Sequence, residues 1–350
     1  MVQVTANLKA IIPILDNYFI HFSKKFWVIG KPKFFPYESS NAHIFYFLLG
    51  RDDFHNLLNE VEVSRCNAFA KGTYSNLHTQ FRTYFSFCVY FHRRPLPAHR
   101  TTIYAYVQFL SRSLKMPSVR NYLSGVRMLH IFLGLPYHFS EDYLLHLVLR
   151  GLARMHPHVP IRAKPVTPKI LLLFHRHMDH HSSLHCTVWS CCLVLFYTMA
   201  RLGSILPASR STPSHVFLSR DRVNFCMEGL VITLLHTKTI QFGRKRLHIP
   251  LLKLDSALCP VRAHTKALSF LPRRKHGPAF IYLKDGVATW LTKAVFISTF
   301  RSVLVQGDLP GSEFTGHSFR RGGASWAFQA GVPGELIQIC GECECECILK

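Results

Sequence analysis

Residues 315–331 read TGHSFRRGGASWAFQAG. His317 and Arg320 stand three apart at the mouth of a short helical pattern, and two glycines follow. Residues at that spacing share a helix face, so the imidazole and the guanidinium point the same way. Such a pair wants an anion, and the rest of the chain says what kind.

The chain has 350 residues, of which 48% are hydrophobic and 13% aromatic, enough to bury a real core in one large domain or two ordinary ones. Against 42 Lys and Arg stand 19 Asp and Glu, a formal charge of +23. The acids are unevenly placed: none occurs from Val63 to Ser140, where ten Lys or Arg do. Like charges at helical spacing repel, so an acid-free folded stretch expects a polyanion on it, with nucleic acid ahead of a membrane surface. The N-terminal residues lack the order of a secretory signal. The longest uncharged run, CTVWSCCLVLFYTMA at 186–200, is shorter than a bilayer span and reads as a buried helix, so no membrane is expected. Eleven cysteines without disulfide spacing suit a reducing compartment.

Helix periodicity recurs from Thr73 through Phe91, from Ile103 to Leu110, and from Pro117-Ser118 to Gly134. Ser140 is expected to cap a fourth helix ending near Arg154. Residues 64–154 thus read as a small all-helical domain, while residues 1–63 stay unassigned. On the third helix Arg120, Ser124 and Arg127 form a polar stripe that suits phosphates or water alike. Residues 155–168, within MHPHVPIRAKPVTPK, carry four prolines and no acid and read as a basic extended linker. Beyond it, Ile170 to Ala200 reads as one buried helical run. Three strands are expected in 214–225, 229–239 and 244–252, with turns at Glu228-Gly229 and near Gly243. From about Pro260 the pattern returns to helix. The fold class is therefore mainly α with a small antiparallel sheet.

Taken together, YTMARLGSIL, HTKT and TGHSFRRGGASWAFQAG resemble the ordered motifs of the tyrosine recombinase (phage integrase) family, and SVRNYLSGVRMLH and LRGLARMHP give it a likeness to the crypton-type recombinases of eukaryotic mobile elements. The resemblance covers roughly residues 64–343. It implies an N-terminal core-binding, SAM-like helical domain, an α+β catalytic domain at 169–343, and a low-complexity tail at 344–350. It also implies that Arg201, Lys238, His317 and Arg320 form the catalytic cluster. Displacement at a phosphodiester piles negative charge on its non-bridging oxygens, which two forked guanidiniums stabilise without metal or cofactor. Lys238 would protonate the leaving oxygen, and His317 would move a proton or position the phosphate. Gly322, Gly323 and Ala324 leave the helix thin, so that a packed element or DNA backbone approaches closely. Two places depart from the pattern. Where the family usually carries an acid, three residues after the first arginine, this chain has Ser204. The family's His/Trp place falls on Cys343, and no tyrosine follows Tyr282, so the nucleophile is absent and the scaffold is expected to be catalytically incomplete.

The expected function is DNA binding in the recombination and integration class, by a homo-oligomer on double-stranded DNA in the nucleus. Arg120, Arg127, Lys115, Arg162 and Lys164 are the expected DNA contacts. A non-enzymatic DNA-binding or transcriptional module on the same scaffold is the alternative, and an RNA-binding protein a third reading. His177, His181 and His185 are expected on one helical face as a weakly basic surface, with no metal bound.

Overall fold

The computed structural model describes residues 53–158, 162–237, 246–272 and 276–341. Two compact units divide the chain at Pro160 and Ile161.

In the first unit, α1 (Asp53–Cys66) precedes α2 (Lys71–Tyr90), α3 (Arg100–Ser111), α4 (Met116–Phe132) and α5 (Tyr143–Met155). The apolar residues that recur every three or four positions become its core: Leu77, Phe81, Tyr84 and Phe87 of α2 meet Ile103, Tyr106 and Val107 of α3, Val119, Val126 and Leu129 of α4, and Leu145, Leu149 and Leu152 of α5. Gly134 ends α4 in the left-handed region, φ 63°, where a side chain would strain. Asp142, and not Ser140, caps α5: its carboxylate accepts from Leu144 N and Leu145 N. Ser140 lies instead in a short 3₁₀ turn, Phe139–Glu141. An ionised carboxylate satisfies two orphan amides at once, and Asp142 also accepts from Tyr104 Oη at 2.7 Å and pairs with Arg100 at 3.0 Å, tying α5 to α3. His130 is fully buried and structural, with Ala98 N donating to Nε2 at 2.9 Å and Nδ1 bonded to Val126 O at 2.8 Å.

The second unit starts with an extended segment, and within the stretch read as a linker the part from Arg162 on lies on its own unit, with Lys164 N donating to Glu313 O and Val166 N to Ser318 O. Then come α6 (Pro168–His177) and α7 (Ser183–Thr198), α7 being buried almost all round. The single run expected from Ile170 to Ala200 is thus two helices, broken at Met178 and restarted by Ser182, whose side chain accepts from His185 N. The break also separates His177, His181 and His185, which do not share a helix face. Among the described residues no group of His, Cys, Asp or Glu could hold a metal ion, and no helix is long and apolar enough to cross a membrane.

After the short α8 (Leu202–Ile205), strands β1 (Val223–Phe225), β2 (Gly229–Leu234) and β3 (Leu247–Leu252) form an antiparallel sheet in that order. In β3, Leu247, Ile249 and Leu251 face the core while His248 and Pro250 face out, the two-residue alternation of an edge strand that tolerates proline. The turn expected near Gly243 lies outside the described residues. Downstream, α9 (Pro260–Ser269) is followed by a hairpin that the helical reading missed, β4 (Ile281–Lys284) and β5 (Val287–Trp290). Its turn, Asp285-Gly286, has φ of 51° and 75°, the left-handed pair that a tight two-residue hairpin needs. Asp-Gly between alternating apolar residues was a legible hairpin signal. The helices α10 (Lys293–Gln306), α11 (Gly316–Gln329) and α12 (Gly334–Gly341) complete the described chain.

Candidate phosphate-binding site

The TGHSFRRGGASWAFQAG stretch is α11. Thr315 caps it, accepting from His317 N at 3.3 Å, while Ser318 Oγ accepts from Thr315 N at 2.9 Å, so the first turn that carries His317 is closed by reciprocal bonds.

Three glycines decide where α11 sits. A Cβ on Gly323 would fall 2.0 Å from Phe196 O, one on Gly316 2.6 Å from Leu202 Cδ2, and one on Gly322 1.7 Å from Val166 O. The first two bring α11 against the end of α7 and the start of α8, and the third brings the 162–167 segment onto it. The thin face of the helix is therefore occupied by the protein's own backbone, not left for DNA. At the end of α7, Met199 turns left-handed, φ 52°, and its carbonyl accepts from Arg320 Nη1 at 2.9 Å. Arg201 follows two residues later as the N-cap of α8.

These contacts bring together residues that are 119 positions apart, Arg201 and Arg320. His317 reports it: its pKa is held below the ordinary histidine value by partial burial, then by the positive charges of Arg320, Arg201 and Arg321. The imidazole is thus neutral near pH 7 in a field of guanidiniums, able to accept a proton or donate a hydrogen bond. Arg320 is 4% exposed, so its fork is held by packing as well as by the Met199 carbonyl. Ser204 is buried in α8, with its amide donating to Arg201 O at 2.8 Å.

Sequence reasoning passed over two cations here. Arg321 donates from Nη1 to Ala163 O, binding the extended segment to α11. Lys293, at the start of α10, places Nζ 3.1 Å from where a Cβ on Gly203 would stand, two residues past Arg201. No motif spacing marks Lys293, because only the fold brings it to the Arg201 turn.

Lys238 and Cys343 lie outside the described residues; in sequence Lys238 falls in the connection between β2 and β3. On the first unit, Lys115, Arg120 and Arg127 are exposed, Lys115 at the N-cap of α4 and the arginines along it. Arg162 is exposed on the second unit, and Lys164 there pairs with Glu313 at 2.6 Å, which neutralises part of its charge.

No protein-family model matches the chain, and no curated protein does. Solved structures do. A lambda integrase (75–356) dimer bound to a COC′ core site is 14% identical, with TM-score 0.54, covering 84% of this chain and 93% of the other. Lambda integrase (residues 75–356) bound to DNA is also 14% identical, with TM-score 0.51 over 82% of this chain and 90% of the other. A further lambda integrase dimer on a COC′ core site gives TM-score 0.51 at 14% identity, over 89% and 79%. At such identity the likeness speaks to the backbone, and on that ground the chain has the tyrosine recombinase/integrase fold.

Proposed function

We propose that this protein binds duplex DNA along its phosphates and holds one phosphodiester between Arg201, His317 and Arg320. The observation that carries the reading is that α11, with His317, Arg320 and Arg321, docks on the Met199–Arg201 turn through the Arg320–Met199 bond, so that the charge of Arg201, more than a hundred positions upstream, acts on His317 beside those of its own helix. Forked guanidiniums suit the oxygens of one phosphate, and a neutral histidine beside them suits proton movement. Lys238, in the β2–β3 connection, is assigned as the lysine of the same pocket on the strength of the sequence resemblance. Lys115, Arg120, Arg127 and Arg162 are assigned to neighbouring phosphates, with a homo-oligomer assembling on the duplex as the lambda integrase dimer does on its core site. Origin in a mobile-element recombinase and a nuclear workplace extend this reading on the resemblance alone.

Within residues 1–350 no tyrosine follows Tyr282, and Tyr282 is 6% exposed within β4. A nucleophile must reach phosphorus in line with the leaving oxygen, which a side chain packed in that strand does not do. The activity assigned to Arg201, His317 and Arg320 themselves is to bind and polarise a phosphodiester, which also fits a non-enzymatic DNA-binding module.

The test is fluorescence-anisotropy titration of a labelled duplex across salt concentrations. Phosphate-led binding gives a log–log slope of several units, and Arg120→Ala with Arg127→Ala lowers it by about one unit per lost contact. Affinity that is flat with salt would overturn the proposal.

A further inference from the structure

The first unit holds a cavity unrelated to the cluster around His317. It has a volume of about 400 Å³ and opens between the C-terminal half of α2 and α3. Phe87, Phe91 and Phe109 line it, their rings already packed on each other at centroid separations of 4.8 Å for Phe87–Phe91 and 5.3 Å for Phe87–Phe109. Phe91 and Phe109 nevertheless remain 45% and 39% exposed. Arg93 and Arg112 also line it, with Thr101, Thr102, Ala105 and Gln108 between. His92, between the helix end and Arg93, lies in the left-handed region, φ 51°. No carboxylate among the described residues pairs with either guanidinium, and the sequence holds no acid from Val63 to Ser140.

We infer that this cavity is a docking site for an acidic peptide segment of a partner protein, with one large apolar side chain seated on the phenylalanines and flanking carboxylates on Arg93 and Arg112. Charge complementarity selects the acid, because two guanidiniums with no acidic neighbour gain most from carboxylates that bond in a forked manner. The aromatic lining selects the anchor: exposed rings in a concave site are the usual seat of a buried aromatic hot spot. Duplex DNA meets the first requirement and not the second. Its outer surface is hydrated phosphate, which loses water without compensation against phenylalanine, and its bases are already stacked. The inference stands independently of the phosphate pocket.

The experiment uses the full chain and a fluorescein-labelled peptide of about ten residues, one tryptophan flanked by aspartates and glutamates. Ala105 lines the cavity from an exposed position on α3, so Ala105→Trp plugs it without entering the core. The paired variant Arg93→Glu with Arg112→Glu reverses the charge, and unchanged thermal stability checks that both variants fold. The inference expects saturable binding by the parent chain, weakened about tenfold or more by each variant, and by replacing the peptide's tryptophan with serine. Binding that survives the plug, or that ignores the loss of tryptophan, overturns it, as does no binding at all. Two other results also overturn it: a matching loss of duplex affinity in Ala105→Trp would give the cavity to DNA. Conversion of a dimer to a monomer by the same plug would give it to a second copy of this chain.

Discussion

Replacing Gly322 by alanine tests the packing around the proposed phosphate pocket. The new Cβ would stand 1.7 Å from Val166 O. A carbon and a carbonyl oxygen settle at about 3.3 Å or more, so helix and segment must part by about 1.6 Å. That movement breaks or stretches two backbone bonds, Val166 N to Ser318 O at 3.0 Å and Lys164 N to Glu313 O at 2.9 Å. Each is worth about 1 kcal/mol net, and residual overpacking adds about 1–3 kcal/mol. Against this, alanine gains about 1 kcal/mol over glycine inside a helix. The sum is a destabilisation of about 2–4 kcal/mol, which for a unit of this size lowers Tm by about 4–16 °C. Tryptophan fluorescence reports mainly on the right part of the molecule, since three of the four tryptophans, Trp189, Trp290 and Trp326, lie in the second unit, and Trp27→Phe removes the fourth. Gly151, in α5, supplies the contrast: nothing lies within 4 Å of a Cβ there, so Gly151→Ala is expected to stabilise the first unit by about 0.5–1 kcal/mol. A Gly322→Ala protein as stable as the parent would refute the close approach of the 162–167 segment to α11.

His264 is buried, hydrogen-bonds to Ser190 at 3.0 Å, and has its pKa pushed down to about 4 by burial and then by the charge of Arg220. The unfolded chain therefore binds more protons between pH 4 and the ordinary histidine value, so stability falls by up to about 3 kcal/mol as pH drops through that window; urea melts against pH check this, and His264→Gln should flatten the slope. At His317 the depressed pKa means that its stabilising contribution is full above the ordinary value and lost on acidification. A bound phosphate opposes the arginines' field, so NMR titration of the imidazole should show its pKa rise on adding duplex, and no rise would remove His317 from the site. Arg320→Lys keeps the charge but loses the fork, leaving the Met199 carbonyl poorly satisfied; a loss of about 1–3 kcal/mol in urea unfolding is expected, and an unchanged midpoint would show that the bond carries no stability.

Periodicity along the chain was enough to specify α2 to α5 of the first unit and most of the buried α7, because the spacing of apolar residues states which face must leave water wherever the partner lies; α1 (Asp53–Cys66), in a stretch left unassigned, was not specified. The cationic motifs and the acid-free stretch pointed to phosphate for the same local reason. Caps and breaks were less legible: Ser140 and Asp142 are both good helix starters two residues apart, and the choice fell to Asp142 because Tyr104 and Arg100, nearly forty positions upstream, hold its carboxylate. The β4–β5 hairpin was written in Asp285-Gly286 and overlooked among helical neighbours. What only the tertiary structure decided is which distant surfaces meet. Nothing near Arg201 says that Gly316 and Gly323 will admit Leu202 and the Phe196 backbone, that Lys293 will stand beside Gly203, or that Val166 will lie on Gly322. Such meetings depend on the summed volumes of side chains more than a hundred positions apart, and a close-packed interior accepts few arrangements of them.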